Sequence, residues 1–364
     1  MDVLALTEEL VSIPSHRGDD CDESAAGEYV ADWLREHTGA TVDHDAAGNI
    51  IARKGDSDGD SLALVGHHDV VPPDESQVAG GEYVVERRDG RLYGRGTADM
   101  KGCLAAAMLA FRDAPASGSG ELVFASFAGE EQGGEGCQAA IEAGFAPDHA
   151  VVVEGSTGYS GPGVTDVAVA HKGRRGSTIV AEGAAAHASE VAAGENAIYR
   201  ATDAVNVVRG IAFPTAEVLG HDLQGSVAVT EIEGGSAWNV IPERCEATID
   251  ERTVPGERAP LAQVEAIDGV TWRVDQDLPP MACGDPEFAD MVLEVAADAQ
   301  EGDPEHVVKP HATDAGWLAQ AGTECVIVGA AEPGEAHTAD ESVSIEVLER
   351  CRHIYDGVVE SRVG

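Results

Sequence analysis

Along its first half this 364-residue chain sets short apolar runs between segments of helical spacing, an alternation that leaves little besides a sheet covered by helices on both faces. Residues 2–10 and 23–36 carry helical spacing, whereas 49–53, 61–65, 121–127 and 150–154 have the length and apolar content of strands. Residues 99–112 run through small apolar side chains as a buried helix, and 135–143 form another. Ligand sites in such a sheet lie at the strand ends. From about Arg174 the pattern changes to strand 177–182, helix 196–209, strands 226–233 and 245–253, helix 259–267 and strand 270–274. That β-α-β-β-α-β order indicates a small two-layer insert, after which helix 286–299, strand 325–328 and helix 345–359 return to the first layer system. The expected division is 1–173 with 277–364 for the main domain and 174–276 for the insert.

Charge narrows the partners. With 66 acidic and 23 basic residues the net charge is −43, a surface that repels phosphate backbones and anionic lipid, so neither nucleic acid nor a membrane is an expected partner. The acids are spread along the whole chain and only four basic residues are lysines (Lys54, Lys101, Lys172, Lys309), a pattern similar to haloarchaeal-type cytoplasmic proteins. Salt near 1 M screens charge within about 3 Å, which relieves the self-repulsion. The expected result is a melting temperature well below its molar-KCl value in dilute buffer; equal values in the two would contradict this reading.

No basic stretch precedes an apolar run in the opening M-D-V-L-A-L-T-E-E-L, so no secretory signal is read there. No run of about 18 apolar residues offers a membrane span. Seven scattered cysteines without C-x-x-C spacing read as reduced thiols in a cytoplasmic protein.

Acids and histidines follow the strands. In G-H-H-D, residues two apart in extended backbone share a face, so His67 and Asp69 point together, the geometry of a metal-ligating imidazole held by a carboxylate or of a surface ion pair. Asp99, in L-Y-G-R-G-T-A-D-M-K-G, stands at a helix entry, where an N-cap is the other reading. Glu130 and Glu131 are adjacent after strand 121–127 and repel unless solvated or neutralised by a cation. Glu154 ends an apolar strand in V-V-V-E-G-S-T, and His337 in G-E-A-H-T-A-D-E precedes the last helix. Together, imidazole and carboxylate donors without a cysteine pattern suit a zinc-type dinuclear centre.

In this order, G-H-H-D-V-V-P-P, L-Y-G-R-G-T-A-D-M-K-G and the E-E pair resemble the metallohydrolase family of acetylornithine deacetylase, succinyl-diaminopimelate desuccinylase, aminoacylases and carboxypeptidase-like enzymes. The resemblance covers nearly the full chain. It implies an α/β fold, with a zinc-exopeptidase-like catalytic domain on a mixed sheet and a ferredoxin-like α+β insert serving as lid and dimerisation domain. It implies two divalent metal ions per chain, zinc before cobalt or manganese, one held by His67 and Glu154, the other by Glu131 and His337, with Asp99 bridging. Asp69 would orient His67, Glu130 would be the general base, and the Asp99–Met100 peptide would be cis. His187, in A-A-A-H-A-S-E, matches the histidine that a homodimer lends to its partner's site.

For the substrate, Arg175 and Arg252 offer forks for carboxylates, and Asn239 and Thr313 match family positions lining the pocket. The implied activity is hydrolysis of an N-acyl amino acid of the desuccinylase or acetylornithine deacetylase type, with a dipeptidase or carboxypeptidase-like activity as the alternative. A metal-binding protein without catalysis would be expected to lack the base or a ligand, and this chain keeps them. Two departures affect the pocket wall: Gly155 stands where the family commonly has Pro, and G-A-A-E-P-G-E-A-H replaces a Gly-Pro pair before the last histidine.

Overall fold

The computed structural model describes residues 1–18, 21–115 and 120–363. Its backbone divides into two compact units, 1–170 with 282–309 and 313–364, and 171–281 with 310–312. The expected boundary at 276/277 cuts strand Val270–Leu278, and that at 173/174 cuts strand Gly173–Glu182. Both strands belong whole to the second unit, because each pairs along its length with its neighbours there.

The first unit is built on a mixed sheet in the order 41–44, 50–55, 121–127, 61–67, 149–152, 324–327, 167–171. Strands Glu121–Phe127, Ser61–His67, His149–Val152 and Glu324–Ile327 run parallel. They are buried on both faces, as parallel strands require, with Leu62, Ala63, Leu64, Val65, Val123 and Phe124 at 0% exposure. Helix Gly102–Asp113 is apolar nearly all round and packs inside, against helix Ile345–Val363 among others. Register decides where function gathers: His67 pairs with Phe127, and Val65 with Val152. The residues that follow three adjacent parallel strands therefore emerge at one edge. Among the described residues no helix is long and apolar enough to cross a membrane.

The second unit is a four-stranded antiparallel sheet in the order 226–234, 244–253, 173–182, 270–278. Helix Ala197–Arg209, capped by Asn196, buries Ala197, Ala201, Ala204 and Val208 against Ile179, Ala247 and Ile249. The second helix expected over 259–267 is only a 3-10 stretch, Leu261–Ala266, which begins directly after Pro260 with i to i+3 bonds such as Gln263 N–H to Pro260 O. A hairpin unread in the sequence, Thr215–Val218 with His221–Gln224, turns on Leu219 and Gly220, both at positive φ.

Candidate metal centre

The turn Gly129–Gly134 brings two carboxylates to the end of strand Glu121–Phe127, and Gly129 opens it at φ +66°. Beside it, His67 ends its strand with Nε2 at 3.1 Å from Asp99 Oδ1 and 3.4 Å from Glu154 Oε1. On the other side, His337 Nε2 lies 3.1 Å from Asp99 Oδ2 and 3.0 Å from Glu131 Oε1. The two oxygens of Asp99 thus face different histidines. Ligand atoms of His67, Glu130 and Glu154 fall within 4.8 Å of one another, as do those of Asp99, Glu131 and His337. The Asp99–Met100 peptide is cis.

Asp69 meets His67 through both its backbone and its carboxylate. His67 Nδ1 is 2.9 Å from the Asp69 carbonyl oxygen and 3.4 Å from its carboxylate. The same carboxylate also accepts, from the neighbouring loop, the N–H of Glu130 (3.2 Å) and of Glu131 (3.1 Å). One residue therefore faces the imidazole with its carbonyl and its carboxylate, and holds the backbone of the two glutamates through that carboxylate.

Electrostatics follow from crowding. Burial opposes a charged His67, but Asp69, Asp99 and Glu154 outweigh it and hold the imidazole well above its usual pKa. Burial likewise opposes ionisation of Asp99, yet His337 and His67 hold its carboxyl far below the usual range. Asp99 and Glu131 raise His337 to about 10. Burial, reinforced by Asp314, Glu154 and Glu131, pushes Glu130 well above the carboxylate range, and burial raises Glu131. Carboxylates outnumber imidazoles here, and all donors are oxygen or nitrogen. That set fits two divalent cations, whose charge would relieve the crowding.

Asp314 was not read in the sequence, although its neighbour Thr313 was. It is 4% exposed, neither carboxylate oxygen has a hydrogen-bond partner among the described residues, and burial pushes it up to about 7. Thr313 is buried too, its hydroxyl accepting the Ala315 N–H.

In the second unit, His187 and Asn239 lie on adjoining backbone. His187 pairs with Val240 across a two-residue ladder, the Ala188 N–H donates to Asn239 O (2.9 Å), and His187 is exposed with Nδ1 at 2.7 Å from Ser189 Oγ. Arg252 is partly exposed and held by Asp250 at 2.8 Å. Arg175 is not free for substrate. It is 8% exposed, lies opposite Glu251 in the strand register, donates to that carboxylate (2.6 Å) and to Ala259 O (3.1 Å), and stacks over Trp272. Its fork serves the insert's own core.

The two departures from the family pattern meet each other. A Cβ on Gly155 would stand 2.6 Å from Ala331 Cβ and 2.8 Å from Ala331 O, so the Gly329–Ala331 segment occupies space that a side chain at 155 would need. Thr157 N–H to Ala331 O (3.2 Å) and Ser156 N–H to Gly329 O (3.0 Å) zip the two segments together. Gly155→Ala is therefore expected to displace the Gly329–Ala331 segment and lower stability by about 1–3 kcal/mol, the usual cost of overpacking, read as a fall in melting temperature; an unchanged value would contradict the close packing.

Residues 63–361 match peptidase family M20/M25/M40. The chain belongs to that family. An acetylornithine deacetylase of Myxococcus xanthus is 30% identical over 326 residues, covering 84% of this chain and 82% of that one. In fold, the chain is similar to aminopeptidase PepT of Bacillus cereus, with TM-score 0.79 and 18% identity over 98% of this chain and 97% of that one. It is also similar to the metallo-carboxypeptidase Sso-CP2 of Sulfolobus solfataricus, with TM-score 0.74 and 15% identity over 99% of both chains. As a member of the M20/M25/M40 family the chain is a metal-dependent hydrolase acting on amide bonds.

Proposed function

We propose that this chain deacylates an N-acyl amino acid bearing a carboxylate. The observation that carries this is the pair of clusters joined by Asp99, with Glu130, partly buried, in the one that holds His67. His67 and Glu154 would hold one divalent cation, Glu131 and His337 the other, and Asp99 both, with zinc before cobalt or manganese. Bound cations of this kind acidify water to a pKa near about 7 and polarise a carbonyl oxygen. Glu130 takes the proton of the attacking water at its carboxylate and delivers it to the leaving amine nitrogen. Asp69, accepting the Glu130 N–H, keeps that carboxylate in place.

His187 of the partner subunit in a homodimer donates a hydrogen bond to the developing oxyanion, with the insert serving as lid and dimerisation domain in a cytoplasmic enzyme. Asn239 and Arg252 bind the substrate's polar groups. With Arg175 committed to Glu251, the case for a succinyl group weakens, and the 30% identical relative named as an acetylornithine deacetylase favours acetyl removal.

The test is a substrate panel in molar KCl: N-acetyl-L-ornithine, N-succinyl-diaminopimelate and dipeptides. Preferred release of acetate supports the proposal. Cleavage of dipeptides alone would instead establish the second reading, a peptidase, which the fold likeness to PepT leaves as the natural alternative.

A further inference from the structure

Glu341 is 1% exposed and holds the segment that carries Asp99. Its Oε1 accepts three backbone donors of one segment, the N–H of Gly96 (2.9 Å), Ala98 (3.1 Å) and Asp99 (3.2 Å). Its other oxygen receives the guanidinium of Arg95, itself 3% exposed, and its carbonyl accepts the Gly94 N–H at 3.1 Å. The chain continues into strand Ser342–Ser344, which pairs with Arg91–Tyr93, and Arg91 adds bonds to Ser342 Oγ (2.9 Å) and Ser342 O (3.0 Å). Upstream, the same loop carries His337 at φ +62°, with Gln77 Nε2 donating to Thr338 O. Asp99 and His337 therefore sit on two backbones joined through Glu341, whereas His67 and Glu154 take their places from the sheet.

We propose that Glu341 is a positioning residue for the Asp99–Glu131–His337 cluster, setting Asp99 against His337, so that one of the two cations depends on it far more than the other. This rests on reading the two clusters as metal sites. A carboxylate is needed because every group facing it is a donor. In Glu341→Gln the amide NH2 meets either Arg95 or the three backbone N–H groups, donor against donor, at nearly constant volume.

The experiment titrates metal-free full-length protein with zinc chloride in molar KCl by calorimetry, alongside melting temperature and circular dichroism. Wild type binds two ions; failure of wild type to do so would remove the underlying metal reading and is seen before any variant is compared. In Glu341→Gln one affinity is expected to fall about 10–100-fold, as loss of a partner behind a ligand does, while the other stays within about threefold. Two wild-type affinities, or equal weakening of both sites, would overturn the proposal.

The double variant Arg95→Met, Glu341→Gln separates positioning from charge balance, and it carries the comparison should the single variant not fold, since no buried cation is left unpaired. Continued loss of one ion supports action through the backbone of 96–99. Recovery of both would mean that Glu341 serves only to neutralise Arg95, and would overturn it.

Discussion

Glu130→Gln leaves a folded, metal-loaded protein whose kcat falls by at least about 100-fold, the lower bound for removing a general acid–base. The side chain keeps its volume, its N–H still donates to Asp69, and the clusters of His67, Glu154 and Asp99 lose no donor they require. What disappears is the carboxylate that takes a proton from water and returns it to an amine. Metal content by elemental analysis and single-turnover rates check this together. Retained turnover with two metals bound would remove Glu130 as the base.

His187→Ala is expected to lower kcat by about 10²–10³-fold, the range for losing one oxyanion donor, with metal content unchanged. The side chain is exposed and bonded only locally to Ser189, so its removal costs the second unit little stability. Mixing this variant with Glu130→Gln provides a sharper check. If His187 acts on the partner subunit, mixed dimers regain one intact site and activity rises above that of either variant alone. No recovery on mixing, with dimer exchange verified, would place His187 in its own chain's site or outside catalysis.

Much of the centre could be read from the sequence because parallel strands are short apolar runs, and the residues following each run had to emerge together. Glu130, Glu131 and Glu154 follow this rule, and His67 ends its strand. Partners fixed only by register or by distant loops could not be read this way. Arg175 stands opposite Glu251 in the second unit's sheet, a pairing set by strand alignment across 76 positions. Glu341 reaches Gly96, Ala98 and Asp99 across more than 240 positions through a loop without periodicity. Asp69 faces His67 as the alternation suggests, but its bonds to the Glu130 and Glu131 N–H groups cross 61 and 62 positions to another strand's end and could not be read locally. The segment expected as a helix at 259–267 closes i to i+3 bonds instead, Gln263 N–H to Pro260 O and Ile267 N–H to Val264 O.

Metal content measured with amide hydrolysis, in molar KCl, before and after chelation, tests the dinuclear reading most directly. Two divalent ions per chain, hydrolysis of N-acetyl-L-ornithine abolished by chelator, and recovery on adding zinc or cobalt are the expected result. Full hydrolysis by protein stripped of metal would contradict it.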